Sequence, residues 1–230
     1  MKADPETDAT TEPTQQERPF LRIDYVTRNG DGRIIDTTDP KVAADSDLAE
    51  LEASGPVVVV PGEGHLFDPV EATIRNVDPG MNVEVTVDPE DAFGRVDPEA
   101  MTTVAKNTIA PEHRTAGKTV QFGGRRGVIE AVSSDTVTVD FNHPLSGIVL
   151  EYEIEVLERL EGVETRAEGL TATHGLRNAS VDYDRPSKTL TLSFPPGDPD
   201  PDRDTRKRAY IAEVSRLLDI ASVRVIERYE

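Results

Sequence analysis

Short runs of strict alternation between apolar and polar residues recur along this chain, each closed by glycine, proline or aspartate, and they leave little room for helix. Leu21, Ile23 and Tyr25 alternate with Arg22, Asp24 and Val26; Val83, Val85 and Val87 with Asn82, Glu84, Thr86 and Asp88; Leu150, Tyr152, Ile154 and Val156 with acidic residues. A period of two puts one face of each run on a core and the other toward water, the pattern of half-exposed antiparallel strands. Asn29-Gly-Asp-Gly32 between Tyr25 and Ile34-Ile-Asp36 predicts a hairpin turn. Val57 to Val60 is a β-branched run without alternation and predicts a buried strand. Helical spacing is found in two places. Leu66, Phe67, Val70 and Ile74 follow it within His65 to Asn76, with Asp68-Pro69 near the start, and Tyr210, Val214, Leu217 and Leu218 follow it later. The fold class is therefore α+β.

Two glycine-rich stretches invite a ligand and fail the test. Asn29-Gly-Asp-Gly32 lacks the oxygen spacing and the twelfth-position glutamate of a calcium loop. Gly62-x-Gly64 has Phe67 where a dinucleotide fingerprint needs its third glycine, and no Gly-Lys-Ser/Thr follows. His65, His113, His143 and His174 are widely spaced and there is no cysteine, so neither a metal site nor a disulfide is expected. No cofactor is implied.

The 230 residues carry 44 Asp plus Glu against 25 Lys plus Arg, a formal net charge of -19. Such a charge repels phosphate backbones and anionic bilayers, which argues against nucleic acid and membrane partners. In molar salt the screening length falls to roughly 3 Å and mutual repulsion is muted, so the balance favours a halophile's protein. Residues 1–18 are polar, unpatterned and without an apolar core, which predicts a flexible acidic tail and a cytoplasmic location.

Four segments taken in order resemble the FKBP-type peptidyl-prolyl cis-trans isomerases, in their SlyD-like, archaeal long-type branch: Tyr25 to Asp36, Pro61-Gly-Glu-Gly-His-Leu-Phe-Asp-Pro-Val-Glu-Ala72, Asp91-Ala-Phe-Gly94, and Asn142-His-Pro-Leu-Ser-Gly147. The resemblance implies an antiparallel sheet wrapped on a short helix, made of residues 19–96 and 139–160 and interrupted by a small β-rich insert at 97–138. In the insert, Val120 with Phe122, Val128 to Val132, and Val137 with Val139 read as three short strands. Residues 161–230 read as a separate α+β segment of order ββαβ. Its aspartates, from Asp198 to Asp204, offer helix N-caps.

By the same resemblance the activity is rotation of X-Pro bonds, with Tyr25, Asp36, Leu66, Phe67, Phe93 and Tyr152 in the catalytic cleft. Ile35, Val57, Val70, His143 and Leu145 would complete its lining. Val70 stands where many members carry tryptophan, and Phe93 replaces a tyrosine, which implies a shallower pocket with one donor fewer. Met101, Val104, Ile109, Phe122 and Val128 would let the insert hold unfolded chains, with part of that set forming the insert's own small core. The partners implied are unfolded or nascent polypeptides containing proline. The rival reading is a holdase or assembly scaffold with little catalysis. For residues 161–230, dimerisation, an added holding surface and a solvated cap all remain open.

Overall fold

A computed structural model describes residues 18–46, 55–176, 178–196 and 201–227. The expected tail, and residues 198–200 of the acidic loop, lie outside the described residues. The chain divides into two compact units. One comprises the described residues up to Arg28, Arg33–Val85 and those from Tyr152 onward; the other comprises Asn29–Gly32 and Thr86–Glu151.

The first unit is built on a five-stranded sheet. Its strands are β1 (Leu21–Asn29), β2 (Ile34–Thr37), β3 (Val57–Val59), β4 (Met81–Val87) and β9 (Leu150–Arg159), in the order β2-β1-β9-β4 with β3 also paired to β1. The hairpin follows the sequence expectation: β1 and β2 are antiparallel, with Thr27 opposite Asp36 and a register shift between Thr27 and Arg28. Strand β3 runs antiparallel to β1, with Leu21 opposite Val59. A five-residue helix, α1 (Pro40–Ala44), follows β2; Asp39 caps it by accepting the Lys41 N–H at 2.8 Å. The helix predicted over 65–76 is shorter, α2 (Asp68–Ile74), because Pro61 to Phe67 form a looped approach with Gly62 and Gly64 at positive φ. Val70 and Ile74 are fully buried on it.

Residues beyond β9 fold as α3 (Val163–Thr173), β10 (Ser180–Asp184), β11 (Thr189–Phe194), α4 (Arg203–Leu217) and β12 (Ser222–Glu227). The order is thus αββαβ, not ββαβ. The α3 helix carries Val163, Ala167 and Leu170 at helical spacing, but only a narrow stripe of them around a glycine, too little to stand out as a periodic pattern. Strands β10 and β11 are antiparallel, and β12 joins β11 in parallel, as the intervening helix requires.

This segment does not stand apart from the sheet. Phe20, Val58, Val60 and Leu160 share one buried cluster with Ala167, Leu170, Leu190, Leu192, Phe194, Tyr210 and Val214. That explains the unbroken valine run: Val58 and Val60 face this cluster, while Val59 on the opposite face is also buried, so both sides of β3 are dry. Close approach is permitted by Gly169, where a Cβ would lie 2.6 Å from Val58 Cγ2 and 2.8 Å from Leu160 Cδ1. The Thr173 hydroxyl donates to the Val58 carbonyl at 2.6 Å, and Tyr210 Oη donates to the Ala167 carbonyl at 3.0 Å.

The second unit holds a four-stranded antiparallel sheet of order β5-β8-β7-β6, from β5 (Met101–Ala105), β6 (Thr119–Phe122), β7 (Arg125–Val132) and β8 (Thr136–Asp140). Three of these strands were expected. The fourth, β5, has two threonines at its centre and no fully buried side chain, so its sequence carries almost no hydrophobic signal. The small core is Ile109, Val120, Ile129, Val137 and Val139. Gly127 is required there: a Cβ would fall 2.7 Å from both Phe141 Cδ1 and Val139 Cγ1.

Candidate functional site

Tyr25 is placed on β1 by strand alternation, and its backbone is then locked by the two threonines that follow Asp36. The Tyr25 N–H donates to Thr38 Oγ1 at 2.8 Å, and the Tyr25 carbonyl accepts from Thr37 Oγ1 at 3.0 Å and from the Thr38 N–H at 3.0 Å. The Tyr25 hydroxyl donates to Asp36 Oδ2 at 2.8 Å, and Asp36 Oδ1 accepts the Thr37 N–H at 2.8 Å. Asp36 itself is exposed, so this carboxylate is held from one side and open on the other. Burial pushes the Tyr25 phenol up, and the charge and hydrogen bond of Asp36 push it further, so the hydroxyl remains a donor throughout the working pH range.

Tyr152 on β9 lies between two other rings. Its centroid is 5.9 Å from that of Tyr25 in a tilted arrangement and 6.5 Å from that of Phe67, edge-on. Burial pushes the Tyr152 phenol up. The Thr27 hydroxyl, close by but without the alignment of a full hydrogen bond, partly offsets this, and Asp36 reinforces it. Tyr25, Tyr152 and Phe67 thus make an aromatic basin with one oriented carboxylate. Four of the residues expected in a cleft are brought together here, although they are separated by more than a hundred positions in the chain.

The remaining expected residues are distributed as follows. Leu66 is half-buried, and its N–H donates to Glu71 Oε1 at 2.9 Å. Val70 is wholly buried on α2; Ile35 and Val57 are half-buried on β2 and β3. In the second unit, Phe93 stacks face to face on His143 with centroids 4.3 Å apart. That pair is held by a local lattice: Asn142 exchanges hydrogen bonds with the Asp97 backbone at 2.9 and 3.0 Å, Ser146 Oγ donates to the Phe93 carbonyl at 3.1 Å, and the Gly147 N–H donates to the Gly94 carbonyl at 2.8 Å. Leu145 is half-buried beside it, with its N–H donating to His143 Nδ1 at 3.2 Å. Elsewhere in the second unit, Ile109 lies in the core at 5% exposure, whereas Met101, Val104, Phe122 and Val128 are half-buried.

Sequence reasoning missed Glu71. Its buried carboxylate accepts the backbone N–H groups of Gly62 at 2.6 Å, Gly64 at 3.3 Å and Leu66 at 2.9 Å, and so shapes the loop that delivers Phe67. In the sequence Glu71 looks like any other acidic residue of an amphipathic helix. A cavity of about 590 Å³ is lined by Asp24, Tyr25, Asp39, Glu84, Glu153 and Glu155 among others; it shares Tyr25 with the basin but includes neither Asp36, Phe67 nor Tyr152. Among the described residues, no group of three or more His, Cys, Asp or Glu side chains could hold a metal ion. No described helix is long and apolar enough to cross a membrane.

No family model matches the chain. Individual proteins do. A "Short-type peptidyl-prolyl cis-trans isomerase" of Methanocaldococcus jannaschii is 29% identical over 140 residues, 60% of this chain and 88% of its own length. The "FKBP-type 16 kDa peptidyl-prolyl cis-trans isomerase" of Escherichia coli is 30% identical over 107 residues, 42% of this chain and 69% of its own length. The "FKBP-type peptidyl-prolyl cis-trans isomerase SlyD" of Aeromonas hydrophila is 27% identical over 168 residues, covering 71% of this chain and 72% of that protein.

Proposed function

The chain belongs to the FKBP-type peptidyl-prolyl cis-trans isomerases, and from that premise we propose that it turns X-Pro bonds in the basin formed by Tyr25, Phe67, Tyr152 and Asp36. The observation that carries this reading is the convergence of three rings and one fixed carboxylate on a sheet surface.

Rotation of an X-Pro bond crosses a barrier of about 18–20 kcal/mol because the C–N bond has partial double-bond character. Water donating to the carbonyl oxygen favours the charge-separated resonance form and stiffens that bond. A dry aromatic surface removes those donors, and a carboxylate held beside it can favour the twisted amide over either planar form. No proton is transferred. An acceleration of a hundred- to ten-thousand-fold needs about 2.7–5.4 kcal/mol of differential binding, within the reach of shape and desolvation. Tyr25 serves by orienting Asp36: its hydroxyl stays protonated and holds Oδ2 while the Thr37 N–H holds Oδ1, so the carboxylate is fixed in direction with its exposed side left for substrate.

The insert supplies a holding surface for unfolded chains containing proline. The half-buried Met101, Val104, Phe122 and Val128, and a groove of about 540 Å³ lined by residues including Ile109, Ala110 and Val120, support that part of the reading. Joining a weak holding site to a weak catalytic one raises local concentration without improving either. The surplus of acidic residues fits a cytoplasmic protein of a high-salt organism.

Protease-free isomerisation, measured on a proline tetrapeptide and on an unfolded protein whose refolding is proline-limited, tests both parts. The intact chain accelerates both, and a variant lacking residues 97–138 keeps the first and loses most of the second. Suppression of aggregation with neither acceleration would make the protein a holdase; undiminished refolding by the shortened variant would remove the insert from the account.

A further inference from the structure

The loop that carries Leu66 and Phe67 to the basin is intrinsically loose. Gly62 and Gly64 sit at φ of +100° and +76°, and glycine gives a chain more conformational freedom to lose than any other residue. Glu71 ties its backbone from below. A second set of ties comes from α4, far away in sequence. Glu213 is buried at 7% exposure and lies between two histidines: Oε1 is 2.8 Å from His65 Nε2, and Oε2 is 2.5 Å from His174 Nε2. The His65 contact is at ion-pair distance but bent away from hydrogen-bond alignment.

His65 Nδ1 accepts the Val60 N–H at 3.1 Å, so its proton is on Nε2, facing Glu213. One helical turn on, Arg216 pairs with Glu63, a carboxylate whose side chain is 3% exposed and which also takes Arg18. Residues 213 and 216 therefore grip residues 65 and 63, from one face of a helix onto one loop. His65 is two residues from Phe67, whose ring is a wall of the basin.

We propose that Glu213 is a positioning residue for isomerisation: through His65 it fixes the loop that presents Phe67, so that the C-terminal segment sets the geometry of the catalytic basin. This rests on the assignment of the basin to Tyr25, Phe67, Tyr152 and Asp36. It gives residues 161–230 a role beyond capping a hydrophobic face. A misplacement of about 1 Å at a reacting surface is enough to lower turnover markedly, which makes a distant tie visible in kinetics.

The test compares full-length Glu213→Ala, Glu213→Gln, Thr173→Val and Phe67→Ala in a protease-free tetrapeptide assay, each well below its own melting temperature. Glu213→Ala lowers kcat/KM about three- to tenfold, judged as a loss of transition-state stabilisation. Glu213→Gln keeps an acceptor for His65 and recovers to within about twofold on the same scale. Thr173→Val loosens the same docked segment at Val58 without touching the loop and stays within about twofold of the parent. Should Glu213→Ala fail to fold, His65→Ala cuts the tie from the loop side and carries the same expectation. Unchanged kcat/KM in the Glu213→Ala or His65→Ala protein, alongside an impaired Phe67→Ala protein, overturns the proposal. A fall in Thr173→Val as large as that in Glu213→Ala does so too, because the effect would then be general to docking. An unimpaired Phe67→Ala protein instead removes the basin assignment itself.

Discussion

Single residues show how context decides a role that residue type leaves open. Asp36 followed by two threonines has a bland reading as a turn residue beside that of a cleft carboxylate; in the fold the threonines secure the Tyr25 backbone and the tyrosine hydroxyl secures Asp36. Glu213 is the reverse case, one acidic residue among 44 with no sequence signal. Burial pushes its carboxyl up, but the hydrogen bond to His174 and the close approach of His65 outweigh this and bring it down to about 2. A carboxylate lowered on folding contributes stability that is complete above its unfolded value and is lost as pH falls through the folded one. Melting temperature should accordingly drop between about pH 4.5 and pH 2, and in Glu213→Gln that drop should be visibly smaller. Equal acid sensitivity in the two proteins would show that the buried carboxylate is not held as described. The resemblance set Tyr25, Asp36, Phe67 and Tyr152 in one cleft without saying which would touch; the contacts among them come from the fold. Glu71 and Glu213 were not legible, because a buried carboxylate looks like any other until its donors are known.

At the level of elements, alternation identified most strands of the main sheet and failed where packing comes from elsewhere. The valine run at 57–60 was recognisable as a buried strand, but the reason for burial on both faces lies in α3, more than a hundred residues later. That helix escaped notice because its contact residue is a glycine. Gly169 also yields a prediction that local preference would get backwards. Alanine is favoured over glycine inside a helix by about 1 kcal/mol, yet here its methyl group would meet Val58 and Leu160 at 2.6 and 2.8 Å. Overpacking of this kind typically costs about 1–3 kcal/mol. Gly169→Ala should therefore be less stable than the parent in a denaturant titration; a more stable protein would mean that α3 does not rest on β3 at this distance. Strand β5 illustrates the other limit: Met101-Thr-Thr-Val-Ala105 becomes a strand by pairing with β8, Thr102 opposite Val139, and not by its own pattern.

At the scale of the whole molecule the chain divides into two compact units, and within the first of them one hydrophobic cluster around β3 joins the sheet to residues 161–230. The α+β fold class could be anticipated from spacing and resemblance. The attachment of residues 161–230 could not, since it depends on which side of β3 faces out. The acidic surplus has its physical meaning at this scale, as a surface condition compatible with many functions. What distinguishes the protein is the basin, and its most direct test is kcat/KM for a proline tetrapeptide, measured without protease for the parent and for Asp36→Ala at matched salt. A fall of at least several-fold, with the melting temperature nearly unchanged, is the result expected of a carboxylate that faces the twisting amide; turnover equal to the parent's would place the chemistry elsewhere.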